Sequence, residues 1–190
     1  MRLTMEKIIA IDIDNVLNNF SEVLKTADFE DGGKPDMYRK HIDDIRRDCW
    51  DRKDLDIRYY ARYIHQQCYI DAKPVDGAAA FTKALKDKGY TIVIMTHRDL
   101  SISWLDTGNW LSGNNIKYDY LTHTANKLSM CKRWGITSLV EKNLNVITDA
   151  AHWGIKVYYP MSVDLDTCYR DDNTCVYGFY NFDEVLVCLD

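Results

Sequence analysis

A short apolar run near the start of the chain leads directly into two acidic residues. Residues Ile8 to Ile11 contain no polar side chain, and Asp12 and Asp14 follow with one residue between them. A run that is apolar at every position indicates a strand buried on both faces, as the strands of parallel sheets are. Open α/β sheets bind ligands in the crevice beyond the carboxyl ends of their strands. The segment therefore predicts a parallel sheet with two carboxylates in its crevice.

Two carboxylates at such a position repel each other. Asp12 and Asp14 need either a cation between them or a proton on one of them, which indicates a metal site or an acid/base pair. The alternative is a solvated loop that happens to contain acids. The apolar strand before the pair and the apolar residues Val16 and Leu17 after it favour a functional site over such a loop.

Composition limits the class of protein. The 190 residues are 46% hydrophobic and 28% charged, which is typical of a globular chain with one core and room for a small subdomain. No apolar stretch reaches the roughly 18 residues that span a bilayer, and the N-terminal residues lack a signal-peptide pattern. We therefore expect a cytoplasmic protein with no membrane association. The six cysteines are irregularly spaced, so we expect reduced thiols rather than zinc ligands or disulfides.

Charge argues against a partner that is a long nucleic acid. The formal net charge is −5, and no cluster of basic residues is longer than Arg46-Arg47 or Lys132-Arg133. A protein that holds long nucleic acid needs a basic patch. A small anionic substrate needs only a local positive site.

The pattern along the chain predicts a core interrupted by a helical insertion. Residues from about 20 to 72 show helical spacing, whereas helices and strands alternate after Ala78, which predicts a parallel sheet. We assign residues 1–19 and 74–190 to the α/β core and residues 20–73 to a helical cap. The predicted elements after residue 77 are a helix ending near Gly89, strands over 90–95, 118–121, 138–140 and 155–159, and helices over 103–111, 126–134, 144–153 and 182–189.

Two further segments supply candidate site residues. Thr96, His97 and Arg98 follow the apolar strand that ends at Met95, and in a parallel sheet they reach the same crevice as Asp12. Lys127 stands near the start of a predicted helix, where a cation opposes the helix dipole unless it faces an anion. Taken alone, a threonine at a strand end is usually structural, and a histidine, arginine or lysine on a loop is usually solvated.

The chain resembles the haloacid dehalogenase-like (HAD-like) phosphotransferases in four motifs that occur in order. Asp12-Ile13-Asp14-Asn15-Val16-Leu17 is similar to the first motif of that family, Thr96 to the second, Lys127 to the third and Leu139-Val140-Glu141-Lys142-Asn143 to the fourth. The resemblance implies a Rossmann-like core with a small cap inserted after the first strand. The cap type, the Val75-Asp76-Gly77-Ala78 turn and the spacing from Trp110 to Tyr118 resemble the 5′(3′)-deoxyribonucleotidase-like branch.

The resemblance implies a Mg²⁺-dependent phosphomonoesterase. Asp12 would attack the phosphate and form an aspartyl-phosphate, and Asp14 would act as acid and then as base. Thr96 and Lys127 would neutralise the transferring group, and His97 and Arg98 would contact the substrate. The metal ligands would be Asp12, the backbone carbonyl of Asp14, Glu141 and waters.

The fourth motif departs from the family pattern. That motif normally carries one or two aspartates that complete the magnesium site, whereas Glu141 and Lys142 stand here. The longer glutamate displaces its oxygen by about a bond length, and Mg²⁺ requires near-ideal octahedral geometry at ~2.0–2.1 Å. The lysine competes for the acids. These differences predict weaker or water-mediated metal binding and leave open a catalytically impaired protein. Asn15 replaces a glycine frequent in the family, a minor change because asparagine tolerates unusual backbone angles.

Aromatic residues in the cap suggest the substrate. Nucleobases stack on such rings for roughly 1–3 kcal/mol each, so we expect a (deoxy)nucleoside monophosphate, although the rings could simply pack the cap helices together. A nucleotide-binding protein without turnover and a phosphatase acting on nucleic-acid ends are the alternatives, and a homodimer is open. Residues 161–175 suggest no function. The cap rings are Tyr38, Trp50, Tyr59, Tyr60, Tyr63 and Tyr69.

Overall fold

A single parallel sheet forms the centre of the protein. The computed structural model describes residues 7–26, 65–161 and 175–189. The strands in these ranges form a sheet in the order β3-β2-β1-β4-β5-β6, and every pair of neighbours is parallel. Their bounds are β1 Ile8–Ile11, β2 Thr91–Thr96, β3 Tyr120–His123, β4 Ser138–Val140, β5 Lys156–Pro160 and β6 Val176–Phe179.

Helices alternate with the strands, which confirms the predicted α/β fold. Residues 65–71 are also helical. Among the described residues, no helix is both long and apolar enough to cross a membrane. The helix bounds are α1 Phe20–Thr26, α2 Ala78–Asp87, α3 Leu100–Gly113, α4 Lys127–Trp134, α5 Leu144–His152 and α6 Phe182–Cys188.

Alternate residues of the central strands pack on opposite faces of the sheet. Ile9 and Ile11 belong to one buried cluster, with residues of α2, α3 and α6. Ala10 belongs to a second buried cluster, with residues of α4 and α5. Because successive side chains of a strand point to opposite faces, these two clusters are the layers between the sheet and its two helical coverings. This arrangement explains why the strand is apolar at every position.

Two strands differ from the prediction. β6 was not predicted, because it is short, half-exposed and contains Gly178, so its sequence lacks a clear period. β3 begins two residues later than expected. Asp119 precedes it, and the Asp119 carboxylate accepts hydrogen bonds from the Ile92 N–H at 2.8 Å and from Lys86 Nζ at 2.6 Å. Asp119 was predicted to lie within the strand, but its side chain instead connects the loop before β3 to β2 and α2.

Both described ends of the insertion are attached to the core. The Asn19 N–H donates to the Lys73 carbonyl at 3.0 Å, and the Lys73 N–H donates to Asn19 Oδ1 at 2.7 Å. Trp110 Nε1 in α3 donates to the Ala72 carbonyl at 2.6 Å. Residues 27–64 lie outside the described residues. The division into core and cap therefore stays a prediction.

Replacing Trp110 by phenylalanine should loosen this attachment. The substitution leaves the Ala72 carbonyl without its buried donor, so we expect the free energy of unfolding to fall by about 1–3 kcal/mol. The matched control is Trp104→Phe in the same helix, where the ring is 57% exposed. Urea unfolding of both variants tests this, and equal losses would contradict the role given to the Trp110 hydrogen bond.

Candidate active site

The sheet order brings three predicted site residues to one edge. β1 lies between β2 and β4, so Asp12, Thr96 and Glu141 all stand at the carboxyl ends of neighbouring strands. The Asp12 N–H donates to the Val140 carbonyl at 3.0 Å, which continues the β1–β4 pairing past the last paired residue. Lys127 is the first residue of α4 and reaches the same edge. Backbone pairing between strands positions Asp12, Thr96 and Glu141, and the start of α4 positions Lys127.

Lys127 forms a buried ion pair with two carboxylates. Its Nζ lies 2.8 Å from Asp12 Oδ1 and 2.6 Å from Glu141 Oε2. Glu141 Oε1 accepts the N–H groups of Lys142 at 2.8 Å and Asn143 at 2.9 Å. Glu141 is fully buried. Both of its oxygens are therefore occupied by donors, and its carboxylate fixes the ammonium beside Asp12.

Burial dominates the ionisation of Asp12. Burial is the largest cause that raises the pKa of Asp12 to about 7; the Lys127 charge opposes the rise, and the nearby carboxylates of Glu141 and Asp14 contribute to it. Burial alone would lower the pKa of Lys127, but its ion pairs with Asp12 and Glu141 outweigh burial and raise it. Lys127 is therefore a permanent cation, whereas Asp12 changes its charge near neutral pH.

The raised pKa predicts a pH-dependent effect of Asp12→Asn on stability. The folded protein holds the Asp12 proton more tightly than the unfolded chain, whose carboxyl has a pKa near 3.8. Wild-type stability should therefore fall relative to the variant as pH rises from about 4 to about 7, by up to about 1.4 kcal/mol per pH unit, and the difference should stay constant above pH 7. Urea unfolding from pH 5 to pH 8 measures it. Asp149→Asn at an exposed position is the control, and a pH-independent difference would contradict the prediction.

Asp14 is held by an arginine from the neighbouring strand end. Arg98 Nη2 donates to Asp14 Oδ1 at 2.6 Å and Arg98 Nε to Oδ2 at 3.0 Å. Asn18 Nδ2 also donates to Asp14 Oδ1, at 3.1 Å. The Arg98 side chain is fully buried, donates to Thr107 Oγ1 at 3.2 Å and lies 4.2 Å from the centre of the Tyr69 ring. Arg98 was predicted to contact substrate; in the structure its guanidinium contacts Asp14, and the substrate-binding role remains a prediction.

The other predicted residues occupy different environments. Thr96 is fully buried, and its Oγ1 accepts the Arg98 N–H at 3.2 Å. His97 is exposed on the loop after β2. Thr96 therefore has the position expected of it, while the predicted substrate-binding roles of Thr96 and His97 remain predictions.

Asn18, Thr107 and Tyr69 contact the Asp14–Arg98 pair, but the sequence did not single them out for this role. Tyr69 had been grouped with the cap aromatics as a candidate base-stacking ring. The sequence offered little to identify them. Asn18 lies only four residues after Asp14, but Thr107 and Tyr69 are distant from it in the sequence. Asn15 has a φ of +63°, so the residue in place of the family glycine does adopt the left-handed conformation.

The donor set does not fit the predicted magnesium site. Among the residues that the structure describes, no group of three or more His, Cys, Asp or Glu side chains is placed to hold a metal ion. Glu141, the acid predicted from the fourth motif, has both oxygens occupied by donors. Asp12 Oδ2 and the backbone carbonyl of Asp14 are the predicted ligand atoms that remain, so the set lacks the second acid that the fourth motif was expected to supply for octahedral Mg²⁺.

The protein is similar to known proteins in its fold and not in its sequence. No family model matches the sequence, and no curated protein matches it. A haloacid dehalogenase-like family hydrolase from Streptococcus pneumoniae is 14% identical, with a TM-score of 0.65 over 97% of this chain and 99% of that one. The fold is that of the HAD-like hydrolases.

Two other solved structures share this HAD-like fold. A predicted phosphoglycolate phosphatase from Haemophilus somnus is 16% identical, with a TM-score of 0.64 over 99% of this chain and all of that one. A D,D-heptose 1,7-bisphosphate phosphatase from Burkholderia thailandensis is 9% identical, with a TM-score of 0.57 over 96% and 97% of the two chains. The predicted fold is therefore confirmed, and the four motifs lie on a backbone of the expected type.

Proposed function

We propose that this protein hydrolyses phosphate monoesters through an aspartyl-phosphate on Asp12. The observation that supports the proposal most directly is the set of contacts and the exposure of the Asp12 carboxylate. Its Oδ1 is fixed by Lys127, no described residue donates a hydrogen bond to its Oδ2, and the side chain keeps 12% of its surface exposed. A carboxylate that is oriented through one oxygen and open through the other is arranged to act as a nucleophile.

The reaction divides into two displacements at phosphorus. Asp12 Oδ2 attacks in line, the ester P–O bond breaks, and Asp14 gives a proton to the departing oxygen. Water then attacks the aspartyl-phosphate, Asp14 takes a proton from it, and phosphate leaves with Asp12 regenerated. Lys127, 2.8 Å from Asp12 Oδ1, neutralises charge on the phosphoryl oxygens. No step of this proposal depends on a bound metal.

We propose a (deoxy)nucleoside monophosphate as substrate, in the manner of the 5′(3′)-deoxyribonucleotidase-like branch. Two proteins of the same fold are described as phosphatases of small phosphorylated molecules, which supports a phosphate ester of that size. The aromatic residues of the predicted cap support a nucleobase. Tyr69 is excluded as a base-stacking ring in this conformation, because its face is occupied by Arg98.

Phosphate release from a panel of esters tests the proposal. The panel contains 5′- and 3′-nucleoside monophosphates, ribo and deoxy, with phosphoglycolate and a sugar bisphosphate, each assayed with Mg²⁺ and with EDTA. We expect release from at least one nucleotide and a loss of at least about 10³-fold in Asp12→Asn, as expected when a nucleophile is removed. Asp149→Asn, an exposed aspartate, should retain full activity. Equal activity of Asp12→Asn and wild type would refute the proposal.

The second candidate is a protein that binds a phosphorylated ligand without turnover. The observation that favours it is the bidentate contact of Arg98 with Asp14, because the guanidinium occupies both oxygens of the carboxylate that the hydrolase needs as acid and base. Ligand binding measured by calorimetry, without phosphate release from any member of the panel, would support this candidate over the hydrolase.

A further inference from the structure

Glu141 serves the lysine of the site rather than a metal. It receives three donors, namely Lys127 Nζ on Oε2 and the N–H groups of Lys142 and Asn143 on Oε1. It is also fully buried. To coordinate a cation, Glu141 would have to give up at least one of these donors, and a buried donor left without a partner is costly. The carboxylate at the end of β4 is therefore a structural partner of the Lys127 ammonium.

Lys142 directly follows Glu141, and its backbone N–H donates to Glu141 Oε1 at 2.8 Å. It stands at the carboxyl end of β4, its side chain is half-buried, and that side chain makes no hydrogen bond or ion pair with any residue that the structure describes. A lysine ammonium is a compact charge on a flexible stem that suits phosphate oxygens. The unpaired ammonium therefore occupies the part of the sequence where the family resemblance places a metal-binding acid.

The start of α5 does not provide an alternative positive site. The N–H groups of Asn145 and Val146 are already directed at Asn143 Oδ1, at 3.0 and 3.5 Å. The N–H groups of Lys142 and Asn143 are directed at Glu141. Among the described residues near the end of β4, the cationic groups available to an incoming anion are thus side-chain ammonium groups.

We propose that this site binds the phosphoryl group without a divalent metal, and that Lys142 supplies, with Lys127, the positive charge that a metal would bring. The proposal rests on the proposed phosphoryl chemistry at Asp12. It extends that chemistry by naming Lys142 as a phosphate-binding residue and by removing the divalent cation from the reaction.

Titration with Mn²⁺, read as free ion by electron paramagnetic resonance, tests the metal half of the proposal. Mn²⁺ takes the same oxygen ligands as Mg²⁺. We expect no binding to wild type up to about 1 mM and measurable binding to Lys142→Asp, which adds a carboxylate and removes the competing cation. One Mn²⁺ per wild-type chain with a Kd below that limit would overturn the proposal. The titration requires no turnover, so it remains decisive if the protein releases no phosphate.

Calorimetry with inorganic phosphate in EDTA tests the role of Lys142. We expect wild type to bind phosphate and Lys142→Met to bind at least about tenfold more weakly. The control Lys156→Met changes an exposed lysine at the start of β5 and should bind as wild type does. Unchanged affinity in Lys142→Met, or phosphate binding that requires added Mg²⁺, would overturn the assignment. Failure of the hydrolase proposal shows instead as phosphate binding without release of product.

Discussion

Replacing Lys127 by methionine should lower the free energy of unfolding by about 3–5 kcal/mol, the usual cost of removing one partner from a buried ion pair. Lys127 Nζ lies within 2.8 Å of both Asp12 and Glu141, and its side chain is 2% exposed. Without the ammonium, two buried carboxylates face each other with no cation between them. Phosphate release should fall as well, because the same ammonium neutralises the transferring group in the proposed reaction.

Urea unfolding of a small set of variants tests this expectation. Lys156→Met, at an exposed position, should change stability by less than about 0.5 kcal/mol. The double variant Lys127→Met/Glu141→Gln removes one of the two stranded carboxylates and should lose less stability than the two single variants together. Strict additivity of the single changes would show that Lys127 and Glu141 do not act as a pair and would contradict the account.

The Arg98→Met substitution should have an effect of similar size, about 3–5 kcal/mol. The Arg98 guanidinium is fully buried and makes three hydrogen bonds to Asp14, one to Thr107 and a cation–π contact with the Tyr69 ring. The Arg98→Lys variant should recover little of the loss, because a single ammonium cannot form the two parallel hydrogen bonds or the planar contact.

A double-mutant cycle between Arg98→Met and Asp14→Asn separates the pair from its surroundings. We expect a coupling energy of at least about 1 kcal/mol, since contacting charged residues in one network are not additive. If Arg98→Lys matched wild type in urea unfolding, the bidentate and cation–π contacts would have no measurable role, and the buried pair would be a simple charge interaction.

The elements that the sequence predicted well are those whose apolar residues form a clear pattern. The helix predicted to end near Gly89 ends at Asp87. The strands β1, β2 and β4 were recovered to within about a residue, because a doubly buried strand leaves an unbroken apolar run. Gly89 has a φ of +79°, as the helix-end prediction implies. β6 was missed because an exposed, glycine-containing strand at the sheet edge has no such run.

The sequence predicted where the site residues lie better than it predicted which groups they contact. The rule that ligands lie at the carboxyl ends of parallel strands brought together Asp12, Thr96 and Glu141. Sequence alone did not show that Arg98, 84 residues from Asp14, contacts that acid. Nor did it show that Glu141 is fully occupied by Lys127 and two backbone N–H groups. Contacts of this kind depend on side-chain packing between strand ends.

The measurement that tests the central claim most directly is acid quenching of the protein during turnover of a ³²P-labelled phosphate monoester, in EDTA, followed by mapping of the labelled residue. We expect label on Asp12 in wild type and none in Asp12→Asn. Label on another residue, or phosphate release that proceeds in Asp12→Asn without labelled protein, would contradict the account.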